Sequence, residues 1–289
     1  MVFGDIISLK KSVKGGLMKR LLHYEHTDRQ ELQKLVEGDV TFSVLYSILG
    51  GECDHIFTDD EEIIICHSQD PYPVWVWCGD TVSMKNLLAI AECIKANFPL
   101  TRYNVNIDQG LIHKLTEIDE YFAGYNVKTE LLSYRLDEIN EISRSCDGRM
   151  ELADKKDREA LAHIWKDMAY EMEGYDFPME TCLENVDRMI EDDQFFVWRN
   201  DDGEIVATTS RGQIGGLGKV AAVYTLPRHR RCGYAINLVY GVTRLILDDG
   251  LTPALYTDGG YSASNDCYKK IGYRQVGRLC TVNKKAFNT

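Results

Sequence analysis

Hydrophobic residues recur at helical spacing in several segments of the chain, which predicts amphipathic helices there. In the first half, the predicted helices cover residues 28–37, 84–98 and 109–122. Thr27 is the expected start of the first, and Pro99 ends the second because proline cannot continue a helix. In the second half, the predicted helices cover 156–172, 178–191, 234–247 and 264–271. Asp154 and either Ser262 or Ser264 are the expected capping residues.

Short runs rich in β-branched and aromatic residues lie between these helices and favour β-strands. In chain order the predicted strands cover 62–66, 74–77, 103–107, 127–136, 149–153, 195–199, 204–211, 219–226, 254–257, 272–278 and 280–283. The turn Asn200-Asp201-Asp202-Gly203 joins two of them and is a strong hairpin signal. The apolar segment 40–49 is compatible with either structure. The order of elements predicts an α/β (α+β) protein.

The length of 289 residues suits two domains rather than one. The polar segment 137–148 ends in the turn Asp147-Gly148, where we place the domain boundary. We therefore predict a smaller N-terminal α/β domain over 18–147 and a second domain over 148–289. Residues 1–17 are interpreted as a leader without function, because Met18 opens a plausible mature start.

Composition narrows the range of partners and compartments. The net charge of −12 argues against a nucleic-acid binder, which needs a basic face for phosphates. The nine cysteines are scattered and form no C-x-x-C pair, which favours reduced thiols over disulfides or a metal site. No apolar run approaches the ~20 residues of a membrane helix. We expect a cytoplasmic protein with no metal, no nucleic acid and no membrane partner.

The clearest candidate chemistry lies in the segment Arg230-Arg231-Cys232-Gly233-Tyr234-Ala235, between an apolar strand and a helix. A helix N-terminus exposes backbone N–H groups and partial positive charge, which attract phosphate oxygens. Glycine lets the backbone approach a bulky anion, and alanine keeps the first helical turn thin. The alternative is a cationic helix entry that binds nothing. The flanking strand and helix favour the phosphate site.

A second motif follows after the strand at 254–257: Asn265-x-x-Tyr268 with Ile271-Gly272-Tyr273. Together with Val223-Tyr224-Thr225-Leu226-Pro227 and Arg230-x-x-Gly233-x-Ala235, it resembles the GNAT superfamily of N-acyltransferases. The two motifs cover about 65 residues, and the remainder of the second half agrees in its order of strands and helices. The resemblance implies a GNAT-type mixed central sheet flanked by helices.

The resemblance also implies roles for individual residues. Backbone groups of Val223, Tyr224 and Thr225, on a bulged strand splayed from its neighbour, would bind the pantetheine arm and the thioester carbonyl. The backbone amides of the loop, with its arginines, would hold the pyrophosphate of acetyl-CoA. The members of this cofactor-binding set are Arg230, Arg231, Cys232, Gly233, Tyr234 and Ala235. Asn265 would bind the pantetheine, and Tyr268 would be the general acid that protonates the departing thiolate.

Each of these roles has a structural alternative. Tyr268 would then only pack on its helix, and Asn265 would only cap it. Cys232 and Cys267 are expected not to be nucleophiles, because direct attack by an amine needs no covalent enzyme intermediate. Many GNAT members carry a glutamate base on the strand before the loop, whereas residues 219–225 contain no carboxylate. The alternatives are a water relay, a carboxylate from elsewhere such as Asp258, or loss of the ammonium proton to solvent before attack. For Asp258 we prefer the interpretation as a plain turn residue.

The predicted function is acetyl transfer from acetyl-CoA to a primary amine of a small molecule or amino acid. The alternatives are a non-catalytic acyl-CoA-binding regulator and a protein N-acetyltransferase. The first half has no R-x-x-G-x-A loop and is interpreted as a degenerate copy of the same fold or a domain that shapes the acceptor side. A homodimer is compatible with this interpretation.

Overall fold

The computed structural model describes residues 21–23, 29–142, 146–174 and 176–284. The leader at 1–17, Met18 and the expected helix start Thr27 lie outside these residues. The chain forms two compact units. The N-terminal unit comprises Met1–Leu132, Asp258–Gly260 and Gly277–Thr289, and the C-terminal unit comprises Ser133–Thr257 and Tyr261–Val276.

The first half of the chain contains six strands and four α-helices among its described residues. The strands are β1 (Leu22–His23), β2 (His55–Thr58), β3 (Ile63–His67), β4 (Val74–Cys78), β5 (Val105–Asp108) and β6 (Asn126–Arg135). The helices are α1 (Gln30–Leu35), α2 (Ser43–Gly50), α3 (Met84–Asn97) and α4 (Gln109–Ile118). Strands β1 to β4 pair antiparallel in sequence order, and β4 pairs parallel with β5.

The second half has the same balance of elements. Its strands are β7 (Arg149–Leu152), β8 (Phe195–Arg199), β9 (Ile205–Ile214), β10 (Leu217–Thr225), β11 (Thr252–Asp258) and β12 (Arg274–Asn283). Its helices are α5 (Arg158–Glu173), α6 (Met179–Glu191), α7 (Tyr234–Asp248) and α8 (Ser262–Ile271). Strands β7 to β10 pair antiparallel in sequence order, and β10 pairs parallel with β11.

The two halves repeat one succession of elements. In the first, β2-β3-β4-α3-β5-α4-β6 is an antiparallel meander, a helix, a parallel strand, a helix and a final strand. In the second, β8-β9-β10-α7-β11-α8-β12 follows the same order with the same pairing directions. The repeat supports the interpretation of the first half as a second copy of one fold.

Each unit is completed by a strand from the other half of the sequence. In the N-terminal unit, Leu279–Val282 of β12 pairs antiparallel with β5. In the C-terminal unit, the backbone N–H of Leu136, just after β6, donates to the Pro253 carbonyl oxygen of β11 at 2.9 Å. The compact units therefore differ from the domains predicted at 18–147 and 148–289. A strand buried on both faces has the same pattern in either sheet, so its partner is decided by tertiary packing.

The predicted helices and strands are present, with shifted ends and three differences. The segment 40–49 forms a 3₁₀ turn, Val40–Phe42, and then α2. Strands β1 and β2 were not predicted, and the two strands predicted over 272–283 form the single strand β12. Asp154 caps its helix entry as expected. The expected serine cap of α8 is wrong, because Tyr261 is the N-cap and no side chain bonds there.

Candidate active site

A β-bulge lies near the end of β10. Between Ala221 and Tyr224 the register with β9 shifts, so that two residues of β10 face only Thr209. One of them, Ala222, has a φ of 50°, a left-handed conformation that residues other than glycine seldom adopt. A bulge interrupts the ladder and redirects backbone groups. The bulge that the family resemblance implied is therefore present.

Strands β10 and β11 pair only at their beginnings. The pairing joins Leu217–Val220 to Thr252–Leu255, and beyond Val220 the described residues give β10 no partner on β11. Along the end of β10, the backbone N–H and C=O groups that a ladder with β11 would use thus have no strand partner there. Val223, Tyr224 and Thr225 lie in this stretch. An extended ligand can bind such a strand edge through main-chain hydrogen bonds.

The loop after β10 ends in an uncapped helix. Gly233 is the N-cap of α7, with a φ of 95°, and no side chain bonds to the helix start. The backbone N–H groups of Cys232, Gly233, Tyr234 and Ala235 donate no hydrogen bond within the described residues. Four such donors at the positive end of a helix form a receptor for phosphate oxygens. Arg231, with a φ of 66°, also bends the loop into a left-handed conformation.

Arg228 and Arg230, beside the helix start, are held by carboxylates. Nη2 of Arg230 lies 2.7 Å from Oε2 of Glu171, and its Nε donates to the Thr225 carbonyl oxygen at 3.1 Å. Arg228 forms an ion pair with Glu204. The positive charge of the loop is therefore partly neutralised, and the backbone donors become the main attraction for an anion. Direct contact between Arg230 and a phosphate stays a prediction.

Helix α8 carries Asn265 and Tyr268 on one face, and both residues are only 6% exposed. The Tyr268 ring lies 6.4 Å from the ring of Tyr134 and 6.2 Å from that of Tyr273, centroid to centroid. Its hydroxyl has no hydrogen-bond partner within the described part of the chain. Burial raises the pKa of Tyr268 above its usual value, so the phenol is protonated at neutral pH. A general acid needs that state.

The motif cysteines differ in exposure. Cys232 is exposed in the loop, whereas burial raises the pKa of the Cys267 thiol to about 12. A protonated thiol is a weak nucleophile. The structure thus supports the expectation that Cys267 is not a nucleophile, and the expectation for Cys232 stays a prediction. None of the nine cysteines forms a disulfide, and no metal-binding cluster occurs among the described residues.

Glu171, in the last turn of α5, is a site residue that sequence analysis missed. Its carboxylate accepts hydrogen bonds from the hydroxyl of Tyr224, at 2.9 Å, and from Arg230. The bond from Arg230, with a second from Tyr224, lowers the pKa of Glu171. The carboxylate ties the end of β10 and the loop to α5. Its partners are 53 and 59 residues away in sequence, so no local pattern could have indicated them.

Lys219, on β10, is the second missed residue. It lies opposite Ala254 of β11, at the paired beginning of the two strands. Its Nζ lies 4.9 Å from the ring centroid of Tyr256. Burial alone lowers the pKa of Lys219 to about 8. A lysine that is partly withdrawn from water without a carboxylate loses its proton easily.

Replacing Lys219 with methionine should stabilise the fold, because the folded state then no longer buries an unpaired ammonium. At pH 7 we expect the free energy of unfolding to rise by about 1–3 kcal/mol. The pKa of Lys219 is about 8 in the folded state and 10.5 in the unfolded state. Between these two pH values, the unfolded wild type therefore binds more protons than the folded wild type. Wild-type stability therefore rises with pH across that window, and the advantage of Lys219→Met should shrink. Urea unfolding at pH 7, 8, 9 and 10 checks this; a pH-independent difference would contradict it.

The corresponding helix start in the N-terminal unit is different. Helix α3 follows β4 as α7 follows β10, but the Ser83 side chain accepts a hydrogen bond from the backbone N–H of Asn86. One of the orphan donors at this helix start is therefore already satisfied. The connecting segment 79–83 contains no arginine or lysine. Trp75, on β4, is buried in the core.

Solved structures of several acetyltransferases are similar to this architecture. An acetyltransferase from the GNAT family of Colwellia psychrerythraea is similar in structure over 92% of this chain and 100% of its own, with 12% identity and a TM-score of 0.63. A GCN5-related N-acetyltransferase from Sphaerobacter thermophilus is similar over 92% and 96% of the two chains, with 15% identity and the same TM-score of 0.63. The chain has the GNAT fold.

Further comparisons agree with the GNAT fold. A GCN5-related N-acetyltransferase from Kribbella flavida is similar over 85% of this chain and 94% of its own, with 17% identity and a TM-score of 0.58. In sequence, residues 197–282 match the family model of the FR47-like protein. That range contains β10, the loop, α7 and α8. No curated protein matches the chain. Among the described residues, none of the helices has the length and hydrophobicity of a membrane span.

Proposed function

We propose that the C-terminal unit transfers an acyl group, acetyl in the first place, from acyl-CoA to a primary amine of a small molecule or amino acid. The observation that carries this proposal is the uncapped start of α7 at Gly233, after the bulged end of β10, which does not pair with β11. The helix start suits a pyrophosphate, and the open strand edge suits an extended amide-containing arm. Acyl-CoA combines both groups in one molecule.

The chemistry follows from the same arrangement. A backbone N–H near Val223 to Thr225 would stabilise the oxyanion that forms when the amine attacks the thioester. Tyr268, protonated because of its burial, would give its proton to the departing thiolate. The net charge of −12 suits a cationic acceptor.

Binding of acetyl-CoA should raise the melting temperature of the full chain, because a ligand of the native state stabilises it by mass action. At an acetyl-CoA concentration one hundred times the dissociation constant, the expected increase in the free energy of unfolding is about 2.7 kcal/mol. Turnover is measured as free CoA released with monoamines, polyamines, amino acids and amino sugars. Chromatographic separation of CoA is preferable to a thiol reagent, because the nine cysteines of the chain are thiols outside disulfides and could react with the reagent. Stabilisation without turnover of any amine would favour the acyl-CoA-binding regulator. Turnover of peptides alone would favour the protein N-acetyltransferase.

The full chain should bind one acyl-CoA. Helices α3 and α7 correspond to each other in the two units, but only α7 combines an uncapped start with a glycine N-cap. Isothermal titration calorimetry with acetyl-CoA measures this stoichiometry. The full chain is used because residues 277–283 complete the N-terminal unit, so neither half of the sequence contains a whole unit. Two equivalent sites per chain would contradict the assignment.

A further inference from the structure

The proposed transfer lacks an evident base. A primary amine is mostly protonated at neutral pH, and only the neutral amine can attack a thioester. Strand β10 has no carboxylate. Glu171 is held by Arg230 and Tyr224, which stabilise its ionised form and make it a poor proton acceptor. Asp258 accepts a hydrogen bond from the backbone N–H of Gly260 at 2.8 Å, which fits a turn residue.

We propose that Lys219 is the general base that removes a proton from the acceptor amine, an inference that rests on the proposed acyl transfer. The register of β10 and β11 supports this proposal. Lys219 lies opposite Ala254, one position before the pairing of β10 and β11 ends at Val220 and Leu255. Tyr256, two residues after Ala254, is on the same face of the sheet and just beyond the last pair.

The side chain of Lys219 extends toward the point where β10 and β11 separate. Its Nζ lies 4.9 Å from the ring centroid of Tyr256, so the amine is beside the opening in which the thioester would lie. On β9, the residue opposite Lys219 is Gly212, and the same-face neighbours are Ser210 and Ile214, which carry no charge. On β11, the same-face neighbours are Ala254 and Tyr256.

The protonation state of Lys219 depends on the absence of a counter-charge near its amine. No charged group within the described residues contributes to the pKa of Lys219, which burial alone lowers to about 8. In a substantial fraction of the protein molecules, the Lys219 side chain is therefore neutral at physiological pH. A base with a pKa near the working pH is efficient. An arginine at this position would stay protonated and could not serve.

The protons of the step balance with solvent water as the final acceptor. The Nζ lone pair of Lys219 takes one proton from the acceptor ammonium, and the neutral amine then attacks the thioester carbonyl. The carbon–sulfur bond breaks, and the thiolate takes the hydroxyl proton of Tyr268. The nitrogen gives its surplus proton to the Tyr268 phenolate through water, and Lys219 releases its proton to solvent. The products are an amide, CoA and one proton.

The test compares Lys219→Met and Lys219→Arg with the wild type in the full chain. The probes are acetyl-CoA and the panel amine that the wild type acylates fastest. We expect kcat at pH 7 to fall by about 10²-fold or more in both variants, with acetyl-CoA affinity retained. The Lys219→Met rate should then rise about tenfold per pH unit until the amine itself is deprotonated. The wild-type rate should instead level off above the pKa of its base. Lys156→Met is the matched control, because Lys156 is 67% exposed and pairs with Asp154.

Other outcomes would overturn the inference. Wild-type turnover in Lys219→Met would show that water or another group removes the proton. Activity retained in Lys219→Arg but lost in Lys219→Met would show that a cation is needed, for example to bind an anionic group of the acceptor. Slow hydrolysis of acetyl-CoA without an amine gives a second readout, because the same base would activate water. A wild type that binds no acetyl-CoA would instead refute the proposed function.

Discussion

Replacing Gly233 with valine is expected to abolish the stabilisation of the protein by acetyl-CoA. Gly233 has a φ of 95°, and a β-branched residue strongly disfavours this left-handed conformation. The valine side chain would also lie where the anion has to approach the backbone N–H groups. Thermal unfolding with and without acetyl-CoA measures the shift, which should fall from several degrees to nothing.

The matched control is Gly203→Val in the turn between β8 and β9. Gly203 has a φ of 81° and no atom near its absent side chain, so valine there introduces comparable backbone strain. Both variants should unfold more easily without ligand, by about 1–2 kcal/mol. The Gly203 variant alone should keep the full acetyl-CoA shift. A normal shift in Gly233→Val would refute the pyrophosphate-loop assignment.

Replacing Tyr268 with phenylalanine should lower kcat by about 10²-fold or more, the usual scale for loss of a positioned general acid. The KM for acetyl-CoA should change little, because the hydroxyl acts only as the sulfur gains charge. Stability should be retained, since the hydroxyl has no hydrogen-bond partner within the described residues. Steady-state kinetics and thermal unfolding of the same preparation separate these effects.

Tyr273→Phe provides the opposite control. The Tyr273 hydroxyl is buried and lies 2.9 Å from Oγ1 of Thr243, so its removal costs about 1 kcal/mol of stability. Turnover should remain near the wild-type level. Wild-type turnover in Tyr268→Phe would mean that the thiolate leaves unaided or takes its proton from water. A large loss of stability in Tyr268→Phe would identify a structural hydroxyl instead.

The order of helices and strands could be predicted from the sequence, because it depends on spacing within short segments. The α3 pattern predicted 84–98, and the helix covers Met84–Asn97. The loop at Arg230–Ala235 could be recognised because its strand and helix are adjacent in the chain. Asn265 and Tyr268 share a face because residues three apart on a helix always do. Strand β2 was missed because its four residues include polar His55 and Thr58.

What tertiary structure alone decided is which segments and side chains meet. The last strand, β12, pairs with β5 from the other half of the sequence, although its pattern is equally suited to its own half. Glu171 reaches Arg230 across 59 residues, and Lys219 has a lowered pKa only because the surrounding strands remove it from water. Periodicity determines which face of an element is buried, whereas pairing, solvation and charge depend on neighbours that the local sequence does not specify.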